Sequence, residues 1–186
     1  MNININDSAS PVELSELLAV FYDTAAEVNS LGEFENRQQL PQPYEGLLDH
    51  HKHMTVTVEA FHGEPVEVQV LRCHVADGWY CREILLRTRQ SHRIVLYGIV
   101  RLHIEMLRPE VWQKIEDQST PLGKVLIEHD VLREVERCQL WHVTAGPRLA
   151  DVMQGEIGQT MYGRTALIYT DGEPAIELLE IVPPAP

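Results

Sequence analysis

Apolar residues recur at helical spacing near the start of the chain and at a period of two through most of its middle and end. Leu14, Leu17, Leu18, Phe21, Ala25 and Val28 fall on one side of a 3.6-residue turn. That spacing predicts an amphipathic helix of about five turns, packed by its apolar stripe. Ser10-Pro11-Val12-Glu13 supplies a start signal for it, with a Ser oxygen to accept from the Glu13 amide and Pro at the first helical position. Asn29 to Tyr44 is polar and broken by Gly32, Pro41 and Pro43, which predicts a connecting loop, and a short helix follows over Tyr44 to His51. Met54 to His62 alternates as MTVTVEAFH and reads as a strand. Gly63-Glu64-Pro65 turns it, Val66, Val68 and Val70 resume the alternation, and Asp77-Gly78 is a hairpin signal leading into Trp79 to Arg87. Ile94 to His103 alternates again.

The second half continues in the same way. Pro109 to Asp117 predicts a short helix with Val111, Trp112 and Ile115 on its apolar side. Ser119 to Gly123 breaks the chain and holds Leu122 on a tight bend, and Lys124 to His129 restarts a helix. Val131 to Leu140 alternates but carries many charges, as an edge strand does. Trp141 to Thr160 has mixed polarity and a helical piece at Arg148 to Gln154, and its length reads as an insertion over one end of a sheet. Met161 to Tyr169, Asp171-Gly172 and Ala175 to Val182 form the clearest hairpin. Successive hairpins predict an α+β fold: an antiparallel sheet of about six strands with flanking helices.

Composition narrows the classes. At 186 residues, with 44% hydrophobic and 23% charged positions, the chain is most economically one domain over residues 1–186. Residues 1–45 would be its amino-terminal helix and loop. No run of ~18 apolar residues is present, so no membrane span is expected. MNININDSAS lacks the basic-then-apolar pattern of a signal peptide, which points to the cytoplasm. A net charge of −13 argues against a nucleic-acid partner, which requires a concentrated basic face. Cys73, Cys81 and Cys138 have no metal-site spacing, and in Asp49-His50-His51-Lys52-His53 the central Lys and the absence of a second cluster argue against a metal site.

One position carries more chemistry than its neighbours. In WYCREILLR the alternation puts Arg82 in a row with Tyr80, Ile84 and Leu86, opposite Cys81, Glu83, Leu85 and Arg87. A guanidinium keeps its proton and costs several kcal/mol to desolvate unpaired. Such a row therefore contains an acidic partner, a snorkel to water, or a bound anion.

With these pieces placed, the chain resembles the bacterial chorismate pyruvate-lyase family. The resemblance is carried by Leu47-Leu48 followed by Met54-Thr55, by Arg82-Glu83-Ile84-Leu85-Leu86, and by Thr120-Pro121-Leu122-Gly123 before a short helix. Gly163-Arg164, the Gly172 to Pro174 hairpin, and an acidic residue before the terminal prolines complete it. It covers residues 46–186, with the stretch near 141–160 as an insertion. It implies a sheet enclosing a ligand pocket, and elimination of pyruvate from chorismate to give 4-hydroxybenzoate or 3-hydroxybenzoate, in ubiquinone biosynthesis or a related pathway, without cofactor or metal.

Carried over by residue, Arg82 would grip the substrate carboxylate and Met54 and Leu122 would line the pocket. A carboxylate on the last strand would meet the ring hydroxyl. Counting back from the prolines gives Glu180; strand parity from Pro174 gives Glu177. Glu180 is preferred, because Leu178 and Val182 flank it in an apolar row. The catalytic pair expected on this basis is Arg82 and Glu180. The alternative expectation is a non-catalytic module of the same fold that senses a small aromatic acid.

Overall fold

The computed structural model describes residues 12–129 and 133–185. Ser10 and Pro11 of the expected capping box, and the first residues of the expected strand at Val131, lie outside them. The elements run α1 (Leu14–Ala19), α2 (Ala25–Leu31), β1 (Gly32–Arg37), α3 (Tyr44–Leu48), α4 (Met54–His62), β2 (Val66–Ala76), β3 (Trp79–Thr88) and β4 (Ile94–His103). A single 3-10 turn leads to α5 (Pro109–Glu116), α6 (Leu122–Glu128), β5 (Arg133–Ala145), α7 (Pro147–Met153), β6 (Thr160–Thr170) and β7 (Glu173–Val182).

All seven strands form one sheet in the order β1-β5-β6-β7-β4-β3-β2, and every pairing is antiparallel. The α+β antiparallel architecture is as expected, with seven strands rather than six. The hairpins at Asp77-Gly78 and Asp171-Gly172 turn through four positive φ angles, the conformation these dipeptides favour. Long-range closure comes from β7, which lies between β6 and β4 and joins the two halves of the sheet.

The sheet separates two cores. One face carries Leu85, Tyr97, Ile99, Val143, Leu167, Leu179 and Ile181 and is covered by residues of α1, α2 and α7, including Leu17, Leu31 and Leu149. The opposite face carries Tyr80, Val100, Ile168 and Leu178 with residues of α5 and α6, and Ile84, Leu86 and Leu96 with Leu48, Met54 and Val58.

Five expectations are corrected. The amino-terminal helix is two helices, because Thr24 opens a second one: its side chain accepts from the Glu27 amide while Glu27 accepts from the Thr24 amide at 2.9 Å. The chain between them drops Tyr22 onto the sheet, where it is buried. The supposed loop after Asn29 contains β1, the true edge strand on that side, so β5 is internal and extends through Ala145; part of the supposed insertion is therefore strand.

Met54 to His62 is a helix. Met54 and Val58 are buried one turn apart, whereas Val56 and Phe61 are 44% and 41% exposed, which is a helical division of the same residues. Gly63 closes the helix in the left-handed conformation, φ 69°.

Removing the Thr24 cap tests the break between α1 and α2. Thr24→Ala is expected to cost about 1 kcal/mol, measured as a lower urea midpoint with an unchanged slope.

Candidate ligand-binding site

β3 and β4 pair Ile84 with Gly98 and Arg82 with Val100; β4 and β7 pair Gly98 with Glu180; β7 and β6 pair Glu180 with Arg164. These residues share one face of the sheet, because directly paired residues point the same way. Gly98 contributes no side chain between Ile84 and Glu180, so the middle of that face is hollow. Over the hollow lie the first residues of α4 and α6. Gly123 makes their approach possible: a Cβ there would stand 3.0 Å from the Thr55 hydroxyl and 3.1 Å from the Cβ of His53.

The result is a cavity with about 550 Å³ of space free of protein atoms, part of it open to solvent. Val68, Ile84, Leu86, Leu96, Ile168 and Leu178 make its walls largely apolar. Arg82, Met54, Leu122 and Glu180 all line it, so the structure brings together these four residues singled out in the sequence. Glu177 is elsewhere. It projects from the other face, where its carboxylate takes the Arg101 guanidinium at 2.6 Å, and burial raises its pKa.

Arg82 is 1% exposed, and its Nε and Nη1 have no hydrogen-bond partner. Burial pulls its pKa below the ordinary arginine value, opposed by the neighbouring Tyr80 and Cys73. The next residue, Glu83, points to the opposite face and is saturated. Tyr22 and Tyr97 donate to its Oε1 at 2.5 and 2.7 Å, and Arg72 and Arg148 donate to its Oε2 at 2.6 and 3.1 Å. Burial works against the Glu83 carboxylate, but the bonds from Arg72, Tyr22 and Tyr97 outweigh it and hold its pKa below normal.

Arg164, noted in the sequence only as part of the Gly163-Arg164 motif, is not singled out there as a site residue. It is as deeply buried as Arg82 but fully engaged: Nε donates to Glu180 Oε2 at 2.7 Å, Nη1 to the carbonyl of His50 at 2.8 Å, and Nη2 to that of Lys52 at 3.0 Å. His50 Nδ1 lies 3.2 Å from Nη1 and accepts the Lys52 amide at 3.1 Å, so its Nε2 carries the proton donated to Leu47 O. The signal was present, since Tyr162, Arg164, Ala166 and Ile168 form the same kind of row as Tyr80, Arg82 and Ile84. No cluster of three possible metal ligands occurs among the described residues.

No protein-family model and no curated protein matches the sequence. Among solved structures, PhnF from Mycobacterium smegmatis is similar in fold, with a TM-score of 0.51 at 12% identity over 98% of this chain and 89% of that one. The effector domain of PhnF from the same organism gives 0.51 at 12% identity, covering 71% of this chain and 88% of that one. The ligand-binding domain of a protein proposed to be a GntR-family transcriptional regulator from Bordetella bronchiseptica gives 0.47 at 18% identity, covering 63% and 85%.

These findings correct the enzymatic reading. The similar folds with a TM-score of 0.51 are PhnF and its effector domain, and neither is described as a lyase, so pyruvate elimination from chorismate and a place in ubiquinone synthesis are withdrawn. The physical reason is that the matching motifs encode a cavity with a buried cation at its wall, and such a cavity can be built from the same groups whether or not a bond is broken inside it. No described helix is long and apolar enough to cross a membrane.

His50 gives the site a pH signature. Burial first, and then the Arg164 charge, lower its pKa to about 4. The folded state therefore keeps it neutral while the unfolded chain takes up a proton below about pH 6.5, so stability falls as the pH drops through that window. Between about pH 7 and about pH 5 the loss from this group is about 1 kcal/mol after discounting for its partial exposure. His62, also depressed by burial, adds in the same direction. Urea unfolding at the two pH values should show a smaller loss for His50→Gln than for the native chain.

Proposed function

We propose that this protein is a non-catalytic binding module for a small aromatic monocarboxylate, whose occupancy of the cavity is passed to a partner. The observation that carries the reading is Arg82, a cation buried at a cavity wall with two of its three nitrogens unsatisfied. A carboxylate can meet these donors through charge-assisted hydrogen bonds, and in largely apolar surroundings such a pair is strong.

The charge balance defines the guest further. Of the arginines and carboxylates lining the cavity, Arg82 and Arg164 bring two positive charges and Glu180 one negative, leaving an excess of one positive charge. One negative charge on the guest closes it. The α4 helix begins at the cavity without a side-chain cap, so its first amides favour the same sign of charge. Between Arg82 and Glu180 lies one strand and an offset of two residues, roughly 12 Å between Cα atoms from strand spacing and rise. Once the two side chains are subtracted, that span suits a single ring with a polar group opposite its carboxylate. Arg82 would hold the carboxylate, Glu180 would accept from the far polar group, and Met54 and Leu122 would close over the ring.

The fold shared with the effector domain of PhnF supports the regulatory half of the reading. An effector domain reports its ligand to a partner, and in a transcriptional regulator that partner is a DNA-binding unit.

Thermal unfolding with benzoate, 4-hydroxybenzoate and the uncharged benzamide tests the reading. An acid at about a hundredfold excess over its Kd should stabilise the protein by about 2.7 kcal/mol, the amide should do nothing measurable, and the acid should be recovered unchanged. Arg82→Met should abolish the acid's effect. It should also raise the stability of the ligand-free protein by at least about 1 kcal/mol, because an unpaired buried charge is removed. No stabilisation by any aromatic acid, or equal stabilisation of Arg82→Met, would overturn the reading.

A further inference from the structure

Residues 49–53 link α3 to α4 as irregular chain. The segment starts at the cap of α3, crosses β5 and β6, and ends at His53, Met54 and Thr55 on the cavity. His51 and Lys52 are exposed at its crest. It pairs with no strand as a ladder, and its attachments to the sheet run through side chains: an ion pair of Asp49 with Arg137 at 3.0 Å, a hydrogen bond of His51 Nδ1 with the Val135 carbonyl at 2.9 Å, and the group around Arg164. Arg164 alone holds three main-chain carbonyls along or beside it, those of Leu48, His50 and Lys52. These are alternate residues, which a regular strand would satisfy from a neighbouring backbone.

The fourth bond of Arg164 goes the other way, from Nε to Glu180, whose carboxylate faces the cavity. One side chain thus connects a group that a guest would touch with a strap of chain whose outer side is exposed. A satisfied buried guanidinium is costly to disturb in part, since freeing one of its nitrogens leaves a buried donor unpaired. The Glu180 carboxylate and the strap are therefore expected to shift together rather than separately.

We propose that Arg164 is a positioning residue that couples Glu180 to the strap of residues 49–53, so that filling the cavity tightens the strap and alters the surface presented by His51 and Lys52. This rests on the reading of the cavity as a ligand site, and it adds the route by which occupancy reaches the outside. The guest engages Glu180, fixes its carboxylate, and through Nε fixes the guanidinium that clamps the three carbonyls.

Hydrogen exchange of the amides from Asp49 to Thr57, measured with sheet amides as an internal reference, tests the coupling in two arms. Without ligand, Arg164→Lys keeps the charge but loses the planar fork, and strap exchange should quicken by about tenfold or more relative to the sheet, the loss expected for about one hydrogen bond. Glu180→Gln, which leaves a neutral acceptor for Nε in a side chain of the same shape, serves as a second variant if the lysine protein does not fold. It should quicken strap exchange by a smaller factor.

With saturating 4-hydroxybenzoate, the native chain should gain protection in the strap, and Arg164→Lys should bind through Arg82 with little gain there. Strap exchange unchanged by both variants overturns the proposal, and so does equal ligand-induced protection in the native chain and Arg164→Lys. Failure of the native chain to bind any aromatic acid sinks the ligand reading instead, and the ligand-free arm still decides whether Arg164 holds the strap.

Discussion

A guanidinium shut away from water with two nitrogens unused is the constraint that organises this protein. Removing such a charge from solvent costs several kcal/mol unless its donors are met, so the fold must absorb that cost elsewhere or recover it from a guest. The rest of the molecule shows that the deficit is local. Arg101 meets Glu177, Arg72 and Arg148 meet Glu83, and Arg164 spends all three nitrogens. Among the described residues, Arg87 and Arg137 also leave a buried Nε without a hydrogen bond, but both are partly exposed, whereas Arg82 is 1% exposed and leaves two nitrogens unmet at the wall of the cavity.

The two faces of the sheet divide the work. The face beneath α1, α2 and α7 is a closed apolar core whose polar centre, Glu83, is fully satisfied. That saturated carboxylate follows Arg82 directly in β3, and the bonds that fix it also fix the backbone from which Arg82 projects. The other face is hollow where Gly98 supplies no side chain, and it is roofed by helix starts that Gly123 lets come close. A rigid floor under an incompletely filled roof is the arrangement a binding site requires.

The resemblance to chorismate lyases and the similarity to effector domains point at the same geometry and differ over what it does. Under the proposed reading both uses would need a cation for a carboxylate and an acceptor opposite it. The motifs at Met54, Arg82, Leu122 and Glu180 line one cavity, and lining a cavity does not by itself define a reaction. In this chain the cavity's carboxylate is also tied to a surface strap through Arg164.

What local sequence determined was whatever depends on near neighbours along the chain. Asp77-Gly78 and Asp171-Gly172 set tight turns because few other dipeptides tolerate positive φ twice, and alternation placed Arg82 on an apolar face. Where two periods fit one short run, as in Met54 to His62, tertiary packing chose the helix by burying Met54 and Val58 and exposing Val56. Arg82 and Arg164 look alike in sequence, each a cation in an alternating apolar row. Only the folded chain distinguishes them, because their partners come from residues 16 and more than 100 positions away in the case of Arg164 and are missing in the case of Arg82. Pairing across a sheet depends on which strands become neighbours, and that is settled by the packing of the whole chain, beyond the reach of any local pattern.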